Sequence, residues 1–336
     1  MKNTKKNIII DYRPLQNFRY NGVCISQKHL LTEFHRRFGK KSNITFFTCG
    51  IKKKQIGIKN IKQKHLYLPN FILNILFLLN FKIDKIIGIK FDIYYCPDLR
   101  NANLSKNIKK IQYIHDLAFI KFKKTLSLKS KINYLITRPL KNINNSNLIL
   151  TNSNFSKTEI KNEFRNKIKV IKIGLNYKKV KNNKQKENFI MIQTLQNRKY
   201  FEKIKEFNLL NKQKEQIDIY GKFDRSFKRA NINYKNIKYK GILNEDKKIE
   251  TISKYKALLY FSHYEGFGMP ILEASIAKTK IISNKCKAFK KIWGKKINYI
   301  EELSNLNNLK KSNKIQNKNQ LKLSARRLHK ILQNTW

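Results

Sequence analysis

Short apolar runs alternate along the chain with longer segments in which apolar residues recur every three or four positions. A short continuous apolar run predicts a buried strand of a parallel sheet, and the longer period predicts an amphipathic helix. In the first half of the chain, strands are predicted at 7–11, 44–48, 93–96, 111–113, 148–151 and 170–173. Helices are predicted between them, at 23–38, 71–79, 131–144 and 156–163. Either Ser153 or Ser156 caps the last of these helices, because a hydroxyl oxygen accepts a hydrogen bond from a free amide of the first turn.

The alternation returns after a polar, lysine-rich stretch at 178–188, which has no apolar period and is therefore the natural linker between two domains. Further strands are predicted at 189–193, 217–220, 237–239, 258–261 and 281–283. Further helices are predicted at 200–211, at 247–256, from Pro270 onward and, after a polar stretch at 304–320, at 321–333. Repeated strand–helix units predict an α/β protein with two doubly wound parallel sheets. Ligands are expected at the carboxyl ends of the strands, facing a cleft between the halves.

The composition fits two globular domains. The 336 residues exceed what one ordinary core holds, and apolar residues make up 41% of the chain. The formal net charge of +53 would by itself indicate a nucleic-acid or acidic-membrane partner. The lysines, however, are spread through every segment beside a heavy use of Asn and Ile, as a compositional bias of the whole chain would place them. We therefore expect no specific nucleic-acid site, and expect the basic surface to adhere to anionic lipid headgroups.

The cysteines and the apolar runs indicate in which compartment the protein is expected and whether it crosses a membrane. The cysteines are far apart in the sequence, which fits a reducing compartment and gives no disulfide or metal signal: Cys24, Cys49, Cys96 and Cys286. The apolar part of the amino-terminal segment, 8–10, is too short for a signal peptide and predicts a first strand. The most apolar run, 71–81, is about half the length that spans a bilayer, so it predicts a buried or partly membrane-facing helix.

The residues most indicative of chemistry lie at 262–274, where Glu265 and Glu273 flank a glycine-rich turn. A predicted strand enters this segment, and a helix leaves it at Pro270, a residue suited to a first helical turn. Glycines allow close approach of a ligand to the backbone, and the free amides at a helix start form an anion site. Both carboxylates can then face one molecule that carries phosphates and hydroxyls. Any strand–turn–helix joint of an α/β domain can look similar. However, only 21 residues of the chain are acidic, so two of them in one apolar, glycine-rich joint are poorly explained as a solvated surface.

This segment resembles the Glu-x7-Glu signature of retaining GT-B glycosyltransferases, specifically glycosyltransferase family four. Other stretches are similar to the same family in the same order along nearly the whole chain: 11–15 with 21–23, 113–119, 150–157, 170–176 and 194–199. The resemblance implies two Rossmann-like domains facing across a cleft. It assigns 1–178 to an acceptor-side domain, 179–316 to a nucleotide-sugar domain, and 317–336 to a helix that packs back on the first domain.

The resemblance also implies roles for charged residues. Glu265 would face the hydroxyls of the donor sugar and stabilise the developing oxocarbenium charge, and Glu273 would bind the ribose hydroxyls. Arg198 and Lys199 would neutralise the diphosphate leaving group, whose negative charge grows as the glycosidic bond breaks. Retention is expected to proceed on the front face, with the leaving phosphate as the base. Because the basic pair does the work of a metal ion, no metal and no cofactor are expected.

The remaining predicted site residues are backbone donors and groups of the first domain. Three amides at the helix start would bind the diphosphate, those of Gly266, Phe267 and Gly268. His115 would reach the transferring sugar, Asp116 would act beside it or on the acceptor side, and Gly22 would let the first loop approach the phosphates. A different interpretation of His115 is a strand-end histidine bonded to the backbone. The two serines, 153 and 156, are interpreted as helix caps only.

The chain departs from the family pattern at several positions. Cys24 and Gln193 stand where glycines are usual, Tyr200 replaces an Asn, residues 277–280 replace a Gly-x-Pro turn, and 290–291 are lysines in place of a Pro-Glu pair. These changes concern donor affinity and activity. The charged residues of the signature are retained.

The resemblance implies a metal-independent hexosyltransferase that moves a sugar from a nucleotide diphosphate sugar, GDP-mannose by subfamily, to a glycan or lipid-linked glycan. Such an enzyme would act in cell-surface polysaccharide or lipopolysaccharide synthesis, in the cytoplasm or peripherally on the inner face of the membrane. One alternative is a glycan-assembly subunit that is catalytically weak or inactive. A second alternative, a basic nucleic-acid-binding protein, would need Arg and exposed aromatic residues clustered on one face.

Overall fold

The chain forms two compact units. The computed structural model describes residues 5–16, 22–123, 128–177, 180, 188–195, 199, 201–223, 234–310 and 317–334. Unit 1 comprises Met1–Leu117, Leu126–Asn176 and Lys318–Trp336, and unit 2 comprises Ala118–Thr125 and Tyr177–Asn317. The predicted linker at 178–188 lies mostly outside the described residues.

Unit 1 is built on a parallel sheet with the strand order β3-β2-β1-β4-β5-β6-β7. Its strands are β1 (Asn7–Asp11), β2 (Asn43–Cys49), β3 (Lys62–Leu66), β4 (Ile93–Cys96), β5 (Lys109–Ile114), β6 (Leu148–Thr151) and β7 (Ile168–Val170). The order reverses at β1, which pairs with β2 on one side and with β4 on the other. The carboxyl ends on either side of such a reversal are where doubly wound sheets bind ligands.

The helices of unit 1 connect these strands and close the unit. They are α1 (Gly22–Phe38), α2 (Asn70–Leu78), α3 (Ile83–Ile87), α5 (Leu128–Thr137), α6 (Pro139–Asn144), α7 (Asn154–Glu163) and α12 (Asn317–Asn334). Ser153 is the N-cap of α7, since its hydroxyl accepts a hydrogen bond of 3.0 Å from the amide of Ser156. The prediction of a single helix at 131–144 is wrong. The helix is interrupted before Pro139, where Arg138 takes a φ of 43°.

The core of unit 1 draws on both ends of the chain. Phe34 of α1 and Phe46 of β2 share it with several residues of α12: Ala325, Leu328, Ile331 and Leu332. Gly174 lies directly against this last helix, where a Cβ atom would be 2.5 Å from the amide nitrogen of Leu321. Only glycine permits this contact, so the backbone at the end of unit 1's sheet and the backbone of α12 touch.

Unit 2 repeats the architecture with the order β10-β9-β8-β11-β12-β13, again parallel throughout. Its strands are β8 (Phe189–Ile192), β9 (Ile217–Tyr220), β10 (Ile237–Tyr239), β11 (Ala257–Tyr260), β12 (Lys280–Ser283) and β13 (Asn298–Tyr299). Its helices are α4 (Ala118–Lys121), α8 (Lys203–Leu210), α9 (Lys248–Ser253), α10 (Met269–Ile276) and α11 (Lys287–Ile292). The sheet again reverses at its first strand, β8, which lies between β9 and β11.

Most predicted strands are confirmed, and the exceptions are polar or short. The edge strands β3 and β13 were not predicted, because Lys62–Leu66 is mostly polar and β13 has only two residues. The strand predicted at 170–173 begins and ends earlier, at Ile168–Val170. Within the described part of the chain, no helix combines the length and the apolar character that a membrane span requires.

Candidate active site

The predicted signature forms the joint between β11 and α10 in unit 2. Strand β11 lies between β8 and β12, so the loop that follows it starts at the carboxyl edge of the sheet's interior. Asn284, after β12, fixes this loop from both sides: it accepts a hydrogen bond of 2.9 Å from the Ser262 amide and donates one of 3.0 Å to the Ser262 carbonyl. The loop therefore has a defined path before it reaches Glu265.

Glu265 forms a buried ion pair with Lys199, which follows β8. The Lys199 ammonium donates to the Glu265 carboxylate and, over 3.1 Å, to the hydroxyl of Tyr260. It also lies 4.8 Å from the centre of the Tyr260 ring. The side chains of the pair are only 5% and 11% exposed, so two predicted site residues 66 positions apart meet where water is largely excluded. A buried charge of this kind is stable only with a partner.

Glu273, one turn inside α10, forms a second buried pair with Lys248 at 2.8 Å. Lys248 also contacts Glu245 at 3.1 Å, and the hydroxyl of Tyr177 donates to Glu245. One oxygen of Glu273, Oε2, is buried and has no hydrogen-bond partner among the described residues. A carboxylate oxygen in this state can accept a hydrogen bond from a ligand hydroxyl.

Burial and charge act against each other in this second pair. Burial raises the pKa of Glu273, and Lys248 only partly offsets the increase. Burial alone would lower the pKa of Lys248, but Glu273 and Glu245 raise it above its ordinary value. The pKa of Tyr177 is raised by burial and by the two nearby carboxylates, so its hydroxyl keeps its proton. Lys248 therefore opposes the loss of charge that burial imposes on Glu273.

Gly268 ends the turn before α10 in a conformation that favours glycine, with a φ of 88°. A Cβ atom at this position would be 2.9 Å from Cε1 of Phe289. The preceding Phe267 is fixed by Trp293, whose ring nitrogen donates to the Phe267 carbonyl over 2.8 Å. Pro270 lies in the first turn of α10. The turn that contains Gly266 is thus anchored by α11 and its following residue rather than free to adjust.

The predicted groups of the first domain belong to unit 1. His115, directly after β5, is buried, and its Nε2 donates to the carbonyl of Pro97 over 3.1 Å. Its own carbonyl accepts from Nδ2 of Asn152 at 2.9 Å. Burial lowers the pKa of His115, which favours the neutral ring. These contacts are those of a strand-end histidine bonded to the backbone, and a role of His115 in sugar transfer stays a prediction. The roles of the half-buried Asp116 and of Gly22, the first residue of α1, also stay predictions.

Two predicted positions, Arg198 and Tyr200, lie outside the described residues. The position of Gln193 is described: it is buried, follows β8, and its carbonyl oxygen would be 1.8 Å from a Cβ at Gly221. Of the predicted Arg198–Lys199 pair, the described residues thus include only Lys199.

The residues that support the signature carboxylates were not among the predicted site residues. Glu273 is surrounded by Lys248, Glu245 and Tyr177. The hydroxyl of Tyr260 accepts a hydrogen bond from Lys199. The signal for Lys248 was absent, since lysines and arginines account for 74 residues and none stands out. Glu245 stood out more, as an acidic residue just before a predicted helix.

The fold is that of GT-B glycosyltransferases, as predicted. Its two parallel α/β units match solved structures of low identity over almost their full lengths. Sucrose-phosphate synthase from Thermosynechococcus elongatus has a TM-score of 0.62 at 13% identity, covering 98% of this chain and 90% of that one. WaaG, a glycosyltransferase of lipopolysaccharide biosynthesis, has a TM-score of 0.62 at 10% identity, covering 95% and 90%. An S. aureus TarM mutant solved with fondaparinux, alpha-GlcNAc-glycerol and UDP has a TM-score of 0.59 at 14% identity, covering 98% and 97%.

A family model matches the sequence over less than half of the chain, chiefly in unit 2. The family model described as Glycosyl transferases group 1 matches residues 175–322, a stretch that contains both signature carboxylates and both of their lysine partners. No protein of curated function matches the sequence. A glycosyltransferase is therefore the class of enzyme that the family match and the fold support, and the finer assignment to glycosyltransferase family four stays a prediction.

Proposed function

We propose that the protein is a retaining, metal-independent glycosyltransferase that moves a sugar from a nucleotide diphosphate sugar to a glycan or lipid-linked glycan. The observation that carries the proposal is the buried pair of Lys199 and Glu265 at the carboxyl edge of unit 2's sheet. A cation for a diphosphate and an anion for a sugar with developing positive charge lie side by side there. Both charges are more effective in a water-poor site than they would be in water.

The proposed reaction uses these charges in one step. The bond between the sugar's anomeric carbon and the diphosphate oxygen breaks, and the bonding electrons leave with the diphosphate. Lys199, with Arg198, neutralises that leaving group, and the amides of the turn at 266–268 add to the same stabilisation. Glu265 stabilises the oxocarbenium-like sugar. The acceptor hydroxyl attacks from the same face and gives its proton to the leaving phosphate.

The nucleotide is held by the second carboxylate. Glu273 presents Oε2, which lacks a partner among the described residues, to the ribose hydroxyls. In unit 1, His115 and Asp116 are proposed to contact the transferring sugar or acceptor, and Gly22 to admit the phosphates. A GDP-mannose-like donor remains the first choice by subfamily, and the UDP in the TarM structure makes a uridine donor the first alternative. Cell-surface polysaccharide is the proposed product, made in the cytoplasm at the inner membrane face.

The test separates binding from turnover. Calorimetry with UDP, GDP and their sugar conjugates identifies the donor, and transfer is then assayed with glycan acceptors. Glu265→Gln should lower turnover about a hundredfold to a thousandfold, with nucleotide affinity changed only a few fold. Lys199→Met should weaken diphosphate binding at least tenfold. Lys203→Met is the matched control, because Lys203 pairs with Glu206 and Glu301 instead of with a signature carboxylate.

Four outcomes would contradict the proposal or part of it. Selective nucleotide binding without transfer to any acceptor would favour the non-catalytic glycan-assembly subunit. Equal, salt-sensitive binding of every phosphate, with RNA as a competitor, would favour nucleic-acid binding. An inverted anomeric configuration in the product, or loss of activity in a chelator, would overturn the retaining or the metal-independent part respectively.

A further inference from the structure

Helix α2 of unit 1 is apolar on the side that faces solvent as well as on the side that faces the core. Leu73 and Phe77 are buried in the core, as an ordinary surface helix requires. The remaining large residues of this helix and its end are exposed: Phe71 (63%), Ile72, Ile75, Leu79 (66%) and Phe81. Surface helices normally place polar residues there, so this side of α2 lacks the covering expected of a water-facing surface.

Helix α5 extends the apolar surface. It contacts α2, and it exposes Ile132 and Leu135, the second of which is 74% exposed. Leu140, at the start of α6, is also exposed. Large exposed apolar residues are scattered singly on most soluble proteins, whereas adjacent ones mark a surface that binds a partner.

Within the two segments that form this surface, every charged residue is basic. The stretches 67–83 and 128–147 contain no Asp and no Glu. The second stretch exposes Lys131, Arg138 and Lys141 between its apolar residues. An acidic protein surface would meet the cations but leave most of the exposed aromatic and aliphatic side chains without a matching environment. A bilayer with anionic headgroups offers both a negative surface and an apolar layer directly beneath it.

We propose that the α2–α5 surface of unit 1 docks on an anionic phospholipid bilayer. Phe71, Leu79 and Phe81 enter the boundary between headgroups and acyl chains, and Lys131 and Lys141 contact lipid phosphates. The helix lies on the membrane, since α2 has only nine residues and is too short to span it. The inference rests on the proposed function only for its purpose, which is to hold the enzyme where a lipid-linked acceptor is found.

Vesicle binding tests the surface without any donor sugar. The protein is sedimented with vesicles of phosphatidylcholine and phosphatidylglycerol, or with vesicles of phosphatidylcholine alone. We expect at least tenfold tighter binding to the anionic vesicles. The variant Phe71→Ser/Leu79→Ser should bind them at least tenfold more weakly. Its matched control is Leu209→Ser/Leu323→Ser, which removes two leucines that are 80% and 55% exposed outside this surface and should bind like the wild type.

The charge of the whole chain needs its own control, because +53 attracts anionic lipid at many places. Lys131→Gln/Lys141→Gln and Lys212→Gln/Lys295→Gln remove the same charge from exposed lysines inside and outside the surface. Only the first variant should weaken binding clearly, by about twenty-five-fold, since each of its two lysines near anionic lipid contributes roughly a factor of five. In a Phe71→Trp variant, brominated lipid should quench the new tryptophan, which adsorption by charge alone would not achieve.

Several results would overturn the inference. Equal losses in the test and control variants would mean that charge is distributed over the whole surface and has no docking site. A change in oligomeric state of Phe71→Ser/Leu79→Ser in sedimentation, with vesicle binding unchanged, would assign the surface to a second copy of the chain. Donor binding is measured by calorimetry on the wild type and on the same variants. If none of these proteins binds a donor while vesicle binding follows our expectation, the proposed function fails and the docking inference stands.

Discussion

At the scale of single residues, Lys248 acts on the charge of Glu273. The carboxylate is almost fully buried, which raises its pKa, and the lysine 2.8 Å away is the main group that opposes this increase, with a smaller contribution from Tyr177. A buried pair contributes little compared with well-packed apolar residues, but breaking one half of it leaves an unpaired charge. The function of Lys248 is thus to favour the ionised form of Glu273 and to hold its side chain in place.

We expect Lys248→Met to lower the free energy of unfolding of unit 2 by about 3–5 kcal/mol near neutral pH. Without Lys248 the pKa of Glu273 rises further. A group whose pKa is raised by folding stabilises the folded state while it is protonated and loses that contribution as pH rises through its folded pKa. The loss should therefore be larger near pH 8 than near pH 5. Urea titrations followed by the fluorescence of Trp293, in a Trp336→Phe background, measure both values.

Two variants control this prediction. Lys248→Met/Glu273→Gln should recover most of the lost stability, since no fully buried charge is then left unpaired. Glu245 also loses Lys248, but its side chain is 30% exposed and Tyr177 still donates to it. Lys254→Met breaks an exposed pair with Glu250 and should cost less than about 1 kcal/mol. A cost for Lys248→Met that is independent of pH and not recovered in the double variant would show that the lysine acts by packing alone.

In each of the two buried ion pairs, the acidic residue is easier to recognise from the sequence than its lysine partner. Glu265 and Glu273 could be selected because acidic residues are scarce and both lie in an apolar, glycine-rich segment. Lys199 could be selected only through its place after a predicted strand. Lys248 and Tyr177 could not be selected, since their roles depend on where α9 and the chain before β8 lie in space, and no local pattern encodes that.

At the scale of elements, the turn that leads into α10 depends on Gly268. Its φ of 88° and its contact with Phe289 both exclude a side chain. We expect Gly268→Ala to destabilise unit 2 by about 2–4 kcal/mol, of which about 1–2 kcal/mol is the cost of a left-handed backbone and the rest is steric. Donor affinity should fall with it, because the amides of this turn are proposed to bind the diphosphate. Urea titration and calorimetry measure the two effects.

Gly294→Ala separates the two contributions. Gly294 also has a positive φ, 51°, but a Cβ there meets nothing within 4 Å. It should show the backbone cost alone, about 1–2 kcal/mol, with donor affinity unchanged. Equal costs at the two glycines would mean that Phe289 moves aside easily and that the turn is not fixed by it.

Element boundaries followed the apolar pattern where strands are buried on both faces. The ends of β1, β4 and β6 agree with the predicted ranges, because a parallel strand between helices is apolar throughout. The pattern failed for β3, an edge strand with polar residues, and for the helix at 131–144, where the period continues past Pro139 although the backbone cannot.

At the scale of the whole molecule, unit 1 is not continuous in sequence. Its core includes Leu328 of α12, which is completely buried, whereas Leu323 on the same helix is exposed. We expect Leu328→Ala to cost unit 1 about 2–5 kcal/mol and Leu323→Ala less than about 0.5 kcal/mol. Hydrogen–deuterium exchange of the amides of β1 and β4 reports these values strand by strand. Equal protection in both variants would mean that α12 is an accessory to the core rather than part of it.

The close approach of Gly174 to Leu321 has a consequence for the order of events during synthesis. The sheet of unit 1 leaves the ribosome early, but the helix that completes its core is translated only after all of unit 2. At ordinary elongation rates this delay is roughly ten to thirty seconds. Throughout it, one apolar face of the first sheet waits for its partner, which makes that face a natural binding site for chaperones on the nascent chain.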